Sequence, residues 1–227
     1  MLQLRNAFTF VELLVVMVIV TLAMVLLMAM LSRRHPRPHN SSQLRGIHCG
    51  LVLYSQDNNT YYPGFSKSGK PIDSSVEGRF KILIDNNYFV SEYIISGFES
   101  KFAWQKEKGE LTSDNMSFAL LNLSDAKSPR IKEWRDTSNS EAVIISDRAI
   151  ANGDHGAIRS IHTKPRPGYS EWRGEVAYND NHVVFEAAHD KLTTQYSDSE
   201  FVNDNLFDTK GASMVYKGVD ALIDPGK

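Results

Sequence analysis

The side chains able to do chemistry gather in the C-terminal half of the chain. Asp147, Asp154, His155, His162, Asp180 and His182 all fall in loops or turns beside short apolar runs. Carboxylates and imidazoles converging on strand ends can hold a metal. A metal site built from Asp147, His162, Asp180 and His182 would favour calcium over zinc, because oxygen donors predominate in this region. Asp and His are also ordinary turn residues, and the run from Asn179 to His182 reads first as turn chemistry. The metal reading is therefore the weaker of the two.

Nucleophilic chemistry has less to stand on. Gly211-Ala-Ser-Met-Val lacks the second glycine of a nucleophile elbow. Cys49 is the single cysteine, and His48 is its neighbour on a predicted helix. Consecutive helical residues do not face each other, so Cys49 reads as a small, inert, buried or semi-buried side chain. There is no P-loop and no G-x-G-x-x-G. Trp104, Trp134, Trp172 and the pair Tyr61–Tyr62 read as core or rim rather than a sugar platform. No catalytic residue is assigned.

Composition narrows the classes further. The 227 residues carry a net charge of −2 with acidic and basic residues intermixed, so no nucleic-acid footprint is present. One cysteine excludes an internal disulfide.

The remaining charged residue of interest stands alone. Phe8 to Leu31 is almost wholly apolar, with Glu12 its one charge. A helix of that length spans roughly 36 Å, so the sequence predicts a transmembrane helix. A carboxylate there costs on the order of 2.5–3.5 kcal/mol and needs a partner. Arg33, Arg34 and Arg37 follow the run while only Arg5 precedes it, and charge counting alone would place the C-terminal part inside.

A short basic leader, a small residue, Phe-Thr-x-x-Glu and then an apolar run resembles the prepilin signal of type IV pilins and type II secretion pseudopilins. That resemblance implies cleavage by prepilin peptidase between Ala7 and Phe8 and methylation of the new Phe8 amine. It also implies assembly through Phe8 and Glu12, the carboxylate of one subunit pairing with the amine of another. Ala7 departs from the family's glycine. Leu44-Arg-x-Ile-x-x-Gly-Leu-x-Leu-Tyr, followed by Asp57-Asn-x-x-Tyr-x-Pro, is similar to pilin-like proteins with prepilin-type processing. Asn179-Asp180-Asn181-His182 resembles their C-terminal Asp-Gly-His element, with Asn181 in place of glycine and His162 farther upstream than the family's spacer. The partners implied are prepilin peptidase, other pilin or pseudopilin subunits and the membrane. The implied location is the inner (cytoplasmic) membrane, single-pass, with the head in the periplasm or extracytoplasmic space.

The organisation expected is a leader at 1–7, a transmembrane and assembly helix at 8–31, a Pro-containing linker at 32–40 and a head at 41–227. The head is expected to be α+β: a pilin-like helix at 41–58 packed on a small antiparallel sheet. Ser41 or Ser42 is the N-cap expected, and Leu44, Ile47, Leu51 and Tyr54 form its apolar stripe. Gly46 and Gly50 permit close packing. Glu141–Asp147 is the clearest strand, Ile150–Ser170 a long loop, Glu171–Ala187 a hairpin, and Ala212–Tyr216 a last strand after a polar tail. The function expected is a pseudopilin-like or minor pilin-like subunit with no enzymatic activity and no cofactor. The rival is a signal-anchored extracytoplasmic protein that binds metal or glycan, or acts as an enzyme, through the C-terminal His/Asp loops.

Overall fold

The computed structural model describes residues 10–31, 39–153, 156–166 and 168–226, the side chains of 25–31 and 39 excepted. The chain divides into two compact units, Met1–Pro38 and His39–Lys227. Ala7, Phe8, Asp154, His155 and the expected linker as far as Pro38 lie outside the described residues.

In the first unit, helix α1 covers Phe10–Leu31 with Glu12 in its first turn. Leu, Met, Val and Ile fill it, with no Gly or Pro to break it. The Thr21 hydroxyl donates to the carbonyls of Met17 at 3.0 Å and Val18 at 2.9 Å, so it asks nothing of its surroundings. The expected transmembrane helix is corrected here. Among the described residues no helix is long and apolar enough to cross a membrane.

The second unit is built on helix α2, His39–Asp57. It begins ahead of the expected Ser41, whose hydroxyl is not a cap and instead donates to Glu175 Oε1 at 2.8 Å. Leu44, Ile47 and Leu51 are fully buried, as the i, i+3, i+7 spacing requires of a helix lying on a sheet. A β-carbon on Gly46 would meet the Tyr93 ring at 2.5 Å, and one on Gly50 the Phe89 ring at 2.8 Å. The two glycines are where aromatic rings lie flush against the helix. Helix α3, Val76–Asp85, follows, with the Ser75 hydroxyl accepting from the Gly78 amide at 3.1 Å.

The expected small sheet is corrected to ten strands in three sheets among the described residues. They are β1 (Phe118–Leu121), β2 (Val143–Asp147), β3 (Ala149–Ala151), β4 (Ile158–Arg159) and β5 (Gly174–Tyr178), then β6 (Val183–Glu186), β7 (Leu192–Tyr196), β8 (Ser199–Asp204), β9 (Met214–Val215) and β10 (Ile223–Asp224). The main sheet has the order β6-β5-β2-β1-β9 and is antiparallel throughout. Strands β10-β3-β4 form a second sheet and β7-β8 a third. Every residue of β2 is buried, because α2 packs against it and the β7–β8 hairpin is tied to it. Tyr196, fully buried, donates its hydroxyl to the Val143 carbonyl at 2.8 Å.

Trp134 anchors the layer beneath α3. Its indole donates to the Pro63 carbonyl at 2.7 Å, and the buried Arg79 guanidinium lies 4.6 Å over its ring. Trp104 and Trp172 are buried as well, so none of the three indoles presents a free stacking face.

Candidate functional site

The first turn of α2 carries a buried polar knot. Asn40 is fully buried; its Nδ2 donates to Asp147 Oδ1 at 2.8 Å and its Oδ1 accepts from Ser96 Oγ at 2.8 Å. Asp147, also fully buried at the end of β2, takes the Glu175 amide on Oδ2 at 2.7 Å. His162 Nε2 approaches the same oxygen at 2.9 Å. The imidazole is held edge-on between Phe98, with ring centres 4.7 Å apart, and Phe185, at 5.5 Å.

Each partner comes from a different element: α2, the loop before β1, β2, the loop after β4, and β5. The knot therefore joins five chain segments, four of them at the Asp147 carboxylate and the fifth, through Ser96, at Asn40. A backbone amide and a side-chain amide donate to that carboxylate, and an imidazole nitrogen lies within hydrogen-bond distance.

Glu175 is the second carboxylate of the knot. One oxygen accepts from Ser41, while Oε2 is buried without a hydrogen-bond partner. Burial pushes its pKa above the usual carboxylate range, and the neighbouring Asp147 charge adds to this. Ser41, His162 and Arg45 oppose it. A folded pKa above the unfolded one gives stability that is complete below the unfolded pKa and lost as pH rises through the folded pKa. Glu175→Gln keeps the acceptor for Ser41 and removes that loss. Its Tm should exceed the parent's by about 2 °C or more at pH 7, with the gap closing toward pH 4. A Tm difference that does not vary with pH would contradict the assignment. Asp204 and Glu186 also titrate above the usual range through burial, and comparing variant with parent cancels their contributions.

The structure thus joins Asp147 to His162, but places Asp180 and His182 elsewhere. The register pairs Ser146 with Val176 and Val143 with Tyr178. Asp147 and the turn after Tyr178 therefore lie at opposite ends of the β2–β5 pair, about 13 Å apart. In that turn Asp180 Oδ1 pairs with His182 Nδ1 at 2.5 Å, and the His182 ring stacks on Tyr178 at 4.1 Å. Burial raises the Asp180 pKa, but the His182 hydrogen bonds and charge outweigh it and hold the carboxyl below the usual range. Asn181 sits at φ +71°, the left-handed region that Gly and Asn tolerate best.

The four-residue metal reading needs one site and finds two pairs. Among the described residues no group of three or more His, Cys, Asp or Glu side chains could hold a metal ion. Cys49, expected to be buried or semi-buried, is exposed. Sequence reasoning missed Asn40, Ser96 and Glu175. Glu175 sits in Gly-Glu-Val-Ala-Tyr, where alternation alone would place it facing either way.

Compared with family models, with curated proteins and with solved structures, the chain matches none.

Proposed function

We propose that this chain is a pseudopilin-like or minor pilin-like structural subunit, not an enzyme, which assembles through α1 in a type II secretion or type IV pilus system. The observation that carries the reading is the surface of α1. Every described side chain from Phe10 to Met24 is exposed, and the large apolar ones are 45–78% exposed. Apolar surface on that scale calls for cover. Helices of neighbouring subunits provide it, packing side by side with α1. In this reading the assembly sits at the cytoplasmic membrane with heads on the extracytoplasmic side, α1 covered by its neighbours.

Glu12 gives such packing its register. Buried among apolar helices, the carboxylate needs a cation, and the Phe8 amine of a neighbour supplies one. The head offers a second support. Asn181 occupies left-handed backbone at the position where the resembled Asp-Gly-His element has glycine, so the replacement keeps the turn.

Mass spectrometry of the mature N-terminus from native membranes tests the proposal. The expected chain begins at N-methylated Phe8. An intact Met1 in cells that contain the peptidase would overturn it.

A further inference from the structure

A cleft of about 510 Å³ opens where the second half of α2 meets the β5–β6 turn, with His48, Cys49, Leu53, Asp136, Asp180 and Asn181 in its lining. Three observations give it a chemical preference. The first is buried polar atoms without well-formed partners. His48 is 3% exposed, and neither ring nitrogen makes a well-formed hydrogen bond, Asn179 being the one group close enough to act on the ring as a hydrogen-bond partner. Asn181 Oδ1 is likewise buried and unpartnered, while its Nδ2 donates to Cys49 Sγ at 3.5 Å. Buried polar groups in this state are rare and call for an explanation.

The second is charge. Asp136 and Asp180 contribute two carboxylates, the latter already paired with His182, and among the described residues no Lys or Arg lines the cleft. Among the described residues the Asp136 carboxylate makes no ion pair and no hydrogen bond. Burial holds the His48 pKa below its ordinary value, although Asn179, Asp136 and Asp180 pull it upward. A neutral imidazole offers a lone pair alongside these oxygens. The third is the wall: Val52 and the half-exposed Leu53 supply apolar surface for an aliphatic stem. The larger cleft of about 900 Å³ beside β3 and β10 differs, since its Arg148 is paired internally with Glu99 at 2.5 Å and Asp224 at 3.2 Å.

We infer that the His48–Asp136–Asn181 cleft binds a guanidinium or alkylammonium group carried on an aliphatic stem. Cationic N–H donors satisfy the lone pair, the amide oxygen and the carboxylates together, and the bonds are charge-assisted. The group can belong to a small free cation or to an Arg or Lys side chain of another polypeptide. The inference stands apart from the assembly proposal, since no part of α1 enters it.

Cys49 is the chain's only cysteine and lines the cleft, so its alkylation by neutral iodoacetamide reports occupancy of the site. Agmatine at about 10 mM, matched against sodium chloride at equal ionic strength, should slow alkylation of the full chain at least threefold, the protection expected of a millimolar site. Asp136→Asn should weaken the apparent affinity about tenfold. A blocked Gly-Arg-Gly peptide separates the sources: equal protection assigns the site to a polypeptide side chain, and protection by agmatine alone assigns it to a free cation. In the unsubstituted chain, the same titration should move the His48 ring resonances. Absence of protection by either probe, or protection undiminished in Asp136→Asn, overturns the inference.

Discussion

Asp147→Ala should lower the unfolding free energy of the head by about 3–5 kcal/mol, the cost of removing one member of a buried charged network. The carboxylate is fully buried and receives Asn40 Nδ2, the Glu175 amide and His162 Nε2. Alanine returns none of these bonds, and water reaches the vacated space poorly. The unpartnered donors then carry their desolvation cost, which is where most of the loss arises. Asp147→Asn should cost less, because its shape and one acceptor remain, but its NH2 faces donors and cannot replace both oxygens. Urea unfolding followed by circular dichroism measures both variants, and an unchanged m-value shows that the loss is one of stability rather than compactness. The loss should be local before it is global: amide exchange in the first turn of α2 should accelerate more than in its Leu51 turn. A cost under about 1 kcal/mol for Asp147→Ala would mean that the knot is decorative.

How far the sequence announces this architecture depends on which signal an element uses. Leu44, Ile47 and Leu51 announce α2 because one face of a helix is buried and the other is wet. Glu141 to Asp147 announces β2 because both of the strand's faces are covered, leaving the continuous apolar run Ala142–Ile145 inside it. The hairpin of β7 and β8 goes unread. Leu192, Thr194 and Tyr196 point inward and are buried, yet Thr194 is polar, so the period-2 alternation does not register as hydrophobic. Its tight turn at Ser197, φ +56°, has no glycine to mark it. The knot is half legible for a related reason. Asp147 and His162 stand out as chemical residue types at a strand end and in a loop. Asn40, Ser96 and Glu175 become partners only when five separate segments meet, and no local pattern records that. The transmembrane expectation rests on apolar length alone, and among the described residues no helix is long and apolar enough to cross a membrane. The assembly expectation rests on Glu12 alone among its described residues, and a substitution there probes it most directly.

Glu12→Leu should reduce assembly of the processed chain at least about tenfold while leaving the Tm of the head within about 1 °C of the parent's. The two halves of this expectation come from different physics. Glu12 belongs to the unit Met1–Pro38, whereas unfolding of the head reports on His39–Lys227. The assembly half separates two ways in which an exposed apolar helix can be covered. If burial of Phe10 to Met24 were the whole driving force, leucine would add apolar area and strengthen association by the usual transfer free energy. If register is set by a carboxylate that must meet a neighbour's amine, leucine removes the attraction and leaves the amine buried without a counter-charge, which is the costlier error. Glu12 also stands in the first turn of α1, where a negative charge complements the helix dipole, so its loss weakens the helix end that has to dock. Sedimentation of processed material from native membranes, with chemical crosslinking to count neighbours, reads the outcome. Assembly that persists or increases in Glu12→Leu would leave α1 as a generic apolar patch and sink the subunit reading.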